Sequence, residues 1–374
     1  MKRLIRSTPK VNAPVLGLDI HKRLIVYCLL DRRGDVAEEG KIEATREALA
    51  ALLDRVVRRT LAHVSLEACG LSLWAYDLLV ARYGAARVHL AQPAKVLVIA
   101  RSSEKNDRND AWWLAHLAQE ARMPEAYVPP TLYREVRIAS RERMEAVRQR
   151  VRAATRLKAA LAQMGVKLPR QSLDCEETRE FLEPLAASTP GMRGEQLREG
   201  LAHYDVVTAL RDRWAERLEA LAGGLAEAKT LAMEIPGVGK TLAATIVGET
   251  GPIGRFHSAK ALGRYTGLTP SDRSTGGRQV YGAITREGSP TLRWALIEAV
   301  THCVRSREGP RGAVGAWVRA RTRRLGRGKA RAAAGRKLAE GIWRLLRLGE
   351  CFDPAKAFGG VPPPLAPARP SRPG

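Results

Sequence analysis

The chain has 374 residues, 45% of them hydrophobic, enough for two or three domains with sizeable cores. Lys and Arg outnumber Asp and Glu by 63 to 39, and the resulting charge of +24 points to polyanionic partners, phosphate backbones foremost. The five cysteines are odd in number, far apart and form no CxxC pair, so neither a disulfide framework nor a zinc knuckle is supported, and no apolar run reaches the ~18 residues of a membrane span. The basic start MKRLIRSTPK lacks the apolar stretch of a signal peptide, so a cytoplasmic location is expected.

In chain order, residues 15–43 read as three strands: VLGLDIH, then RLIVYCLLD, then VAEEGKIEA after the turn DRRGD. A helix follows in TREALAALLDRVVRR, then the short strand VSLEACG, the helix LSLWAYDLLVARYG closed by Gly84, the strand ARVHLAQ, and a helix from Asp107 to about Arg122. The order β-β-β-α-β-α-β-α is that of a ribonuclease-H-like domain, an α/β mixed sheet flanked by helices, here expected over residues 12–125. Residues 131–230 read as a helical hairpin or coiled coil with an arginine-rich face, less regular from Leu168 to Gly200. A mainly α domain is expected over 231–350, and the Pro-rich end, 355–374, reads as disordered. Arg305–Arg347 carries 14 Lys or Arg against two Glu, half of the net charge.

Four carboxylates stand out. Asp19 sits inside an apolar strand between Leu18 and Ile20, where an acid is disfavoured unless it has a task. Glu67 ends the strand VSLE in the same way. Asp107 and Asp110 open a helix, where their charge also suits the macrodipole. In a ribonuclease-H-like sheet the first and fourth strands are neighbours, and the start of the last helix packs over their ends. Four hard oxygen donors would converge there, a set suited to two Mg²⁺ or Mn²⁺ ions.

In the second half, IPGVGKTLAATIV fails the Walker pattern, because the position that needs the first glycine is Glu234. It fits a helix-hairpin-helix better, with Gly237 and Gly239 permitting close approach to a phosphate and Lys240 adding charge; an ordinary capping turn is the alternative.

The segments GLDIHK, SLEACG, QPAK (Gln92–Lys95) and KNDRNDAWWLA together resemble the DEDD transposases of bacterial insertion sequences, a family related to the pilin-gene inverting recombinases. GLTP, a Ser/Thr-Gly turn, ITREG and LRWAL, within residues 261–299, resemble that family's C-terminal domain. The resemblance implies a RuvC-like first domain in which Asp19, Glu67, Asp107 and Asp110 bind two Mg²⁺. It also implies a serine nucleophile, just before the turn glycine, that becomes joined to DNA. Here that turn is Ser274-Thr275-Gly276, so strict alignment puts Thr275 there, whereas the less hindered Ser274 lies one residue earlier. Lys95, Lys105, Arg278, Arg286 and Arg293 are expected along the nucleic-acid path. The resemblance further implies DNA as substrate, a dimer or tetramer with composite active sites, an element-encoded guide RNA, and a bacterial, nucleoid-associated setting. A junction-resolvase-like, metal-dependent nuclease with water as nucleophile is the alternative. An actin-like ATPase lacks its further Gly-rich phosphate turns, and a non-catalytic nucleic-acid binder would not need four converging acids.

Overall fold

The computed structural model describes residues 11–57, 63–93, 95–96, 107–272 and 281–359, and divides into two compact units, Met1–Val128 and Pro129–Gly374. The first is built on a five-stranded sheet: β1 (Val15–Ile20), β2 (Leu24–Leu30), β3 (Val36–Glu43), β4 (His63–Glu67) and β5 (Val88–Ala91). The strand order is β3-β2-β1-β4-β5, with β1 antiparallel to β2, β2 antiparallel to β3, and β1, β4 and β5 mutually parallel. β3 lies at the edge, and its four charged residues, none of them buried, discourage pairing with another chain.

The sheet is covered on both faces, which explains why β1 and β2 are almost continuously apolar. Leu16, Leu18 and Ile20 pack with Leu49, Leu52 and Leu53 of α1 (Arg46–Val57) and Leu79 of α2 (Leu73–Tyr83). On the opposite face, Val15, Val26, Cys28 and Leu30 meet Ala111, Ala115 and Ala118 of α3 (Asp107–Gln119). Gly17 shares that second face, and a Cβ there would lie 2.0 Å from the Ala111 carbonyl oxygen. Only glycine lets α3 come so close. The far end of α3 is fixed by the Val11 N–H donating to Gln119 O at 2.8 Å, and by the Gln119 side chain donating to Asp31 O at 2.7 Å. Thus α3 runs antiparallel to β1, with its first turn at the C-terminal end of that strand.

The second unit is helical apart from one strand pair. α4 (Thr131–Gln163) lies antiparallel to α6 (Gly191–Ala222), with Arg193 reaching Gln163 at one end and Arg150 reaching Thr208 further along. α5 (Glu176–Ser188) packs on this pair through Leu182, beside Leu157, Leu161, Leu201 and Tyr204. The stretch expected to be irregular, Leu168–Gly200, is therefore largely helix: it holds all of α5 and the first turns of α6. Its Pro and Gly residues misled because Pro190 and Gly191 mark a helix start, where proline is tolerated, and Pro184 is absorbed within α5.

The remaining elements are α7 (Ala226–Glu234), α8 (Lys240–Thr250), α9 (Ala259–Tyr265), β6 (Pro270–Asp272), β7 (Tyr281–Ile284), α10 (Pro290–Arg305), α11 (Gly309–Leu325), α12 (Arg327–Leu348) and α13 (Pro354–Phe358). β6 and β7 pair antiparallel. Ser258 caps α9, and Ser289, followed by Pro290, caps α10. The base of α4 is bound to this region through α8. A Cβ on Gly248 would touch the Arg137 backbone, Arg137 donates to the carbonyls of Gly248 and Glu249, and Arg141 grips the Glu249 carboxylate with two hydrogen bonds of 2.7 and 3.0 Å. Glu249 is buried, and its hydrogen bond raises the Arg141 pKa despite partial burial. Among the described residues, no helix is long and apolar enough to cross a membrane.

Candidate functional site

β1 and β4 pair in parallel register with Leu18 opposite Leu66, so Asp19 and Glu67 come next along the two strands. Side chains alternate between faces, and since Leu18 and Leu66 point into the α1/α2 core, Asp19 and Glu67 point to the α3 side. Gly17, two residues before Asp19, lies beneath Ala111, and α3 runs antiparallel to β1. Asp110 directly precedes Ala111 and Asp107 lies one turn earlier, so the first turn of α3 stands at the strand ends that carry Asp19 and Glu67. Three elements thereby bring all four sequence positions to one end of one face of the sheet.

The environments of the four differ. Asp19 is buried, with Oδ2 2.9 Å from His21 Nε2. Glu67 is half-buried and Asp110 exposed, while the side chain of Asp107 lies outside the described residues. Among the described residues, no three His, Cys, Asp or Glu side chains gather closely enough to hold a metal ion. The donors themselves fit a hard divalent cation: they are carboxylate oxygens, one of them held in an apolar strand between the buried Leu18 and Ile20. Exposed Lys22 and Arg23 flank this end in the β1–β2 turn. Lys95 is exposed just beyond the end of β5, where Ala91 is paired with Glu67. Lys105 lies outside the described residues.

His21 was not foreseen as part of this end. The signal was available in GLDIH, since residues two apart on an extended chain share a face.

In the second unit, the turn between α7 and α8 separates its two glycines. Gly237 has φ +79 and is buried; a Cβ there would lie 2.3 Å from Ala299 O of α10. The turn is locked to α10 by Cys303 Sγ donating to Pro236 O at 3.4 Å and by His302 Nδ1 standing 3.2 Å from Gly237 O. Burial pushes the Cys303 thiol up to about 11. Gly239 and Lys240, by contrast, are exposed at the start of α8, which has no side-chain cap on its first-turn N–H groups. Lys240 Nζ pairs with Glu219 Oε1 at 2.5 Å, and that bond raises the lysine pKa.

Ser274, Thr275 and Arg278 lie outside the described residues, between β6 and β7. Arg286 is exposed just after β7. Arg293 is turned to local structure, donating to Arg286 O at 3.1 Å and Gly288 O at 3.0 Å. Most of the cations of Arg305–Arg347 lie on α11 and α12, where Arg323, Arg324, Arg327, Lys329 and Arg347 are exposed.

A family model described as the IS116/IS110/IS902 transposase family matches residues 229–313, and a second transposase model, of the DEDD type named for IS110, matches residues 16–166. The chain is 27% identical over 345 residues to the transposase for insertion sequence element IS1111A of Coxiella burnetii, covering 90% of this chain and 91% of that protein. It is 26% identical to a probable family 20 transposase of Pseudomonas aeruginosa, covering 92% and 100% of the two chains. With a putative transposase, y4pF/y4sB, of Sinorhizobium fredii it shares 28% identity, over 78% of this chain and 75% of that one.

Proposed function

The chain belongs to the IS116/IS110/IS902 family of transposases, and on that premise we propose that it cuts and rejoins DNA strands through a hydroxyl-linked protein–DNA intermediate. The observation that carries this reading is the meeting of Asp19, Glu67 and the first turn of α3 at one end of the sheet. The strand order supports a ribonuclease-H-like, RuvC-like identity for the first unit.

Asp19, Glu67, Asp107 and Asp110 would hold two Mg²⁺ or Mn²⁺. Bound there, the ions would supply charge neutralisation for a phosphodiester in flight and acidity for a coordinated oxygen. His21 holds the Asp19 carboxylate in place, as the outer partners of metal ligands commonly do. The nucleophile is the hydroxyl of Ser274 or Thr275, between β6 and β7. The hydroxyl gives up its proton as its oxygen bonds to phosphorus, the bond from phosphorus to one strand oxygen breaks, and that leaving oxygen takes up a proton in exchange. A second strand's hydroxyl reverses the step on a new partner, which releases the protein. The start of α8, with Gly239 and Lys240, reads as the phosphate-facing part of a helix-hairpin-helix, and Gly237 as its packed inner residue. Lys95 in the first unit, and Arg278 and Arg286 in the second, are the side chains proposed to contact nucleic-acid phosphates. The cationic α11–α12 surface supplies sequence-independent affinity for DNA and for a guide RNA, within a dimer or tetramer.

The test is strand transfer from the chain's own element ends in a cell-free reaction containing Mg²⁺ and RNA recovered with the purified protein. Loss of transfer in Ser274→Ala or Thr275→Ala supports a protein hydroxyl. Full activity in both would make water the nucleophile and turn the reading to a junction-resolvase-like nuclease. Absence of co-purifying RNA from the flanks of the gene would remove the guide.

A further inference from the structure

Two loops that flank the β6–β7 pair, one around Gly267 and one around Arg286, are tied back to back. The Thr285 N–H donates to Thr269 O at 2.9 Å and the Arg286 N–H to Gly267 O at 3.1 Å. Gly267, at φ +67, would bring a Cβ to 2.2 Å from Glu287 O; Gly288, at φ +96, would bring one to 2.1 Å from Tyr265 O. Arg293, in the first turn of α10, fastens the second loop by donating to the carbonyls of Arg286 and Gly288.

Between these glycines stands Arg286 with φ +57, a bulky side chain in the left-handed region. Among the described residues, Ala121, at φ 52, is the other non-glycine so placed, and it has an ordinary reason: it follows the end of α3, where helices often close with a left-handed residue. Arg286 ends no helix. The chain places glycine at two left-handed positions of this knot and arginine at the third, so the arginine side chain has a use that offsets the strain.

Its surroundings indicate what it meets. The guanidinium is exposed and has no partner among the described residues. Beside it, Arg293 is held below the ordinary arginine range by burial and by the Arg286 charge, and its hydrogen bonds go to carbonyls rather than to a carboxylate. Among the described residues, the charge that acts on the Arg293 guanidinium is that of Arg286, and two like charges so coupled repel until an anion joins them.

We propose that Arg286 grips a DNA phosphodiester, and that its left-handed backbone is strain retained to aim the guanidinium at it. DNA as the source of the phosphate rests on the function proposed above. The test compares wild type with Arg286→Gly and Arg286→Lys in two measurements: thermal unfolding, and the anisotropy of a fluorescein-labelled duplex carrying the element end. Glycine relieves the strain, so Arg286→Gly is expected to raise the Tm by roughly 2–4 °C while weakening duplex binding about 10-fold. Lysine keeps the strain and the charge without the fork, so its Tm stays at the wild-type value while binding still weakens several-fold. Unchanged duplex affinity in Arg286→Gly overturns the phosphate contact, and a lowered Tm overturns the strain. A wild type that binds the duplex yet transfers no strand, alongside variants that behave as expected, would sink the strand-transfer reading and leave the Arg286 contact standing.

Discussion

Asp19 and Glu67 stand side by side at the C-terminal ends of adjacent parallel strands, one residue beyond the Leu18–Leu66 pair and on the face covered by α3. The arrangement needs no special loop. It follows from strand pairing and the two-residue alternation of side chains, which makes the geometry of this end insensitive to loop motion. Replacing either acid with its amide, Asp19→Asn or Glu67→Gln, is expected to lower strand transfer by more than the roughly 10–100-fold that loss of an outer partner costs. Thermal unfolding without metal should stay near wild type.

His21→Ala tests the outer partner itself. With the 2.9 Å contact to Asp19 gone, metal affinity is expected to fall roughly 10–100-fold, as measured by calorimetric titration with Mn²⁺, with the sheet intact by circular dichroism.

Gly17 is where the fold and the site depend on one atom. Gly17→Ala puts a methyl group against the Ala111 carbonyl, at 2.0 Å before any relaxation, so α3 must lift from β1. The expected loss is about 1–3 kcal/mol or more in urea unfolding of the first unit. Strand transfer should fall further than the stability change accounts for, because Asp107 and Asp110 ride on the displaced helix.

Arg141 and Glu249 fasten α4 to α8. Arg141→Ala leaves the carboxylate of Glu249 buried, with Arg137 Nε 3.7 Å away as its remaining cation, and a loss of about 3 kcal/mol is expected in denaturant unfolding of the second unit. The double replacement Arg141→Met with Glu249→Leu removes the buried charge together with its partner, and most of that loss should return.

His63, at the end of a His63–His89–Glu125 chain, gives the first unit a pH dependence. His63 Nδ1 lies 2.7 Å from His89 Nε2, and His89 Nδ1 lies 2.6 Å from Glu125. Burial, then the charges of His89 and Arg87, depress the His63 pKa below the ordinary histidine value of about 6.5. The unfolded chain therefore binds a proton at His63 that the folded chain refuses. Stability is full above about pH 6.5 and falls as the pH drops through that value toward the depressed folded one. His63→Asn should flatten this dependence, as measured by denaturant midpoints across that range.

Much of this was legible from particular residues. An acid between Leu18 and Ile20 in a strand declared itself, because an aspartate on a covered sheet face is costly without a task. The succession of strands and helices followed from the apolar runs, the neighbouring of the first and fourth strands from the ribonuclease-H-like order of those elements, and the acidic start of α3 from its pair of aspartates. The contributions that depend on distant packing were not legible. Gly17 looks like any strand glycine until α3 is laid over it, and Gly237 reads as a phosphate-facing turn until α10 fills the space. The helices within Leu168–Gly200 were masked by Pro184, Pro190 and Gly191, which signal breaks locally and are accommodated by the packing of α5 on α4 and α6. Glu249 gave no hint of burial, since its partner Arg141 is over a hundred residues away in the chain.

The proposed reaction bonds a hydroxyl between β6 and β7 to DNA and requires the acids at the end of the sheet. The most direct measurement is mass spectrometry of the protein after incubation with element-end DNA and Mg²⁺. The expected result is a nucleotide adduct on the peptide holding Ser274 and Thr275, localised by fragmentation to one of them, and absent with EDTA or in Asp19→Asn. DNA cleavage that proceeds with no adduct on that peptide, or an adduct that forms equally in Asp19→Asn, would contradict it.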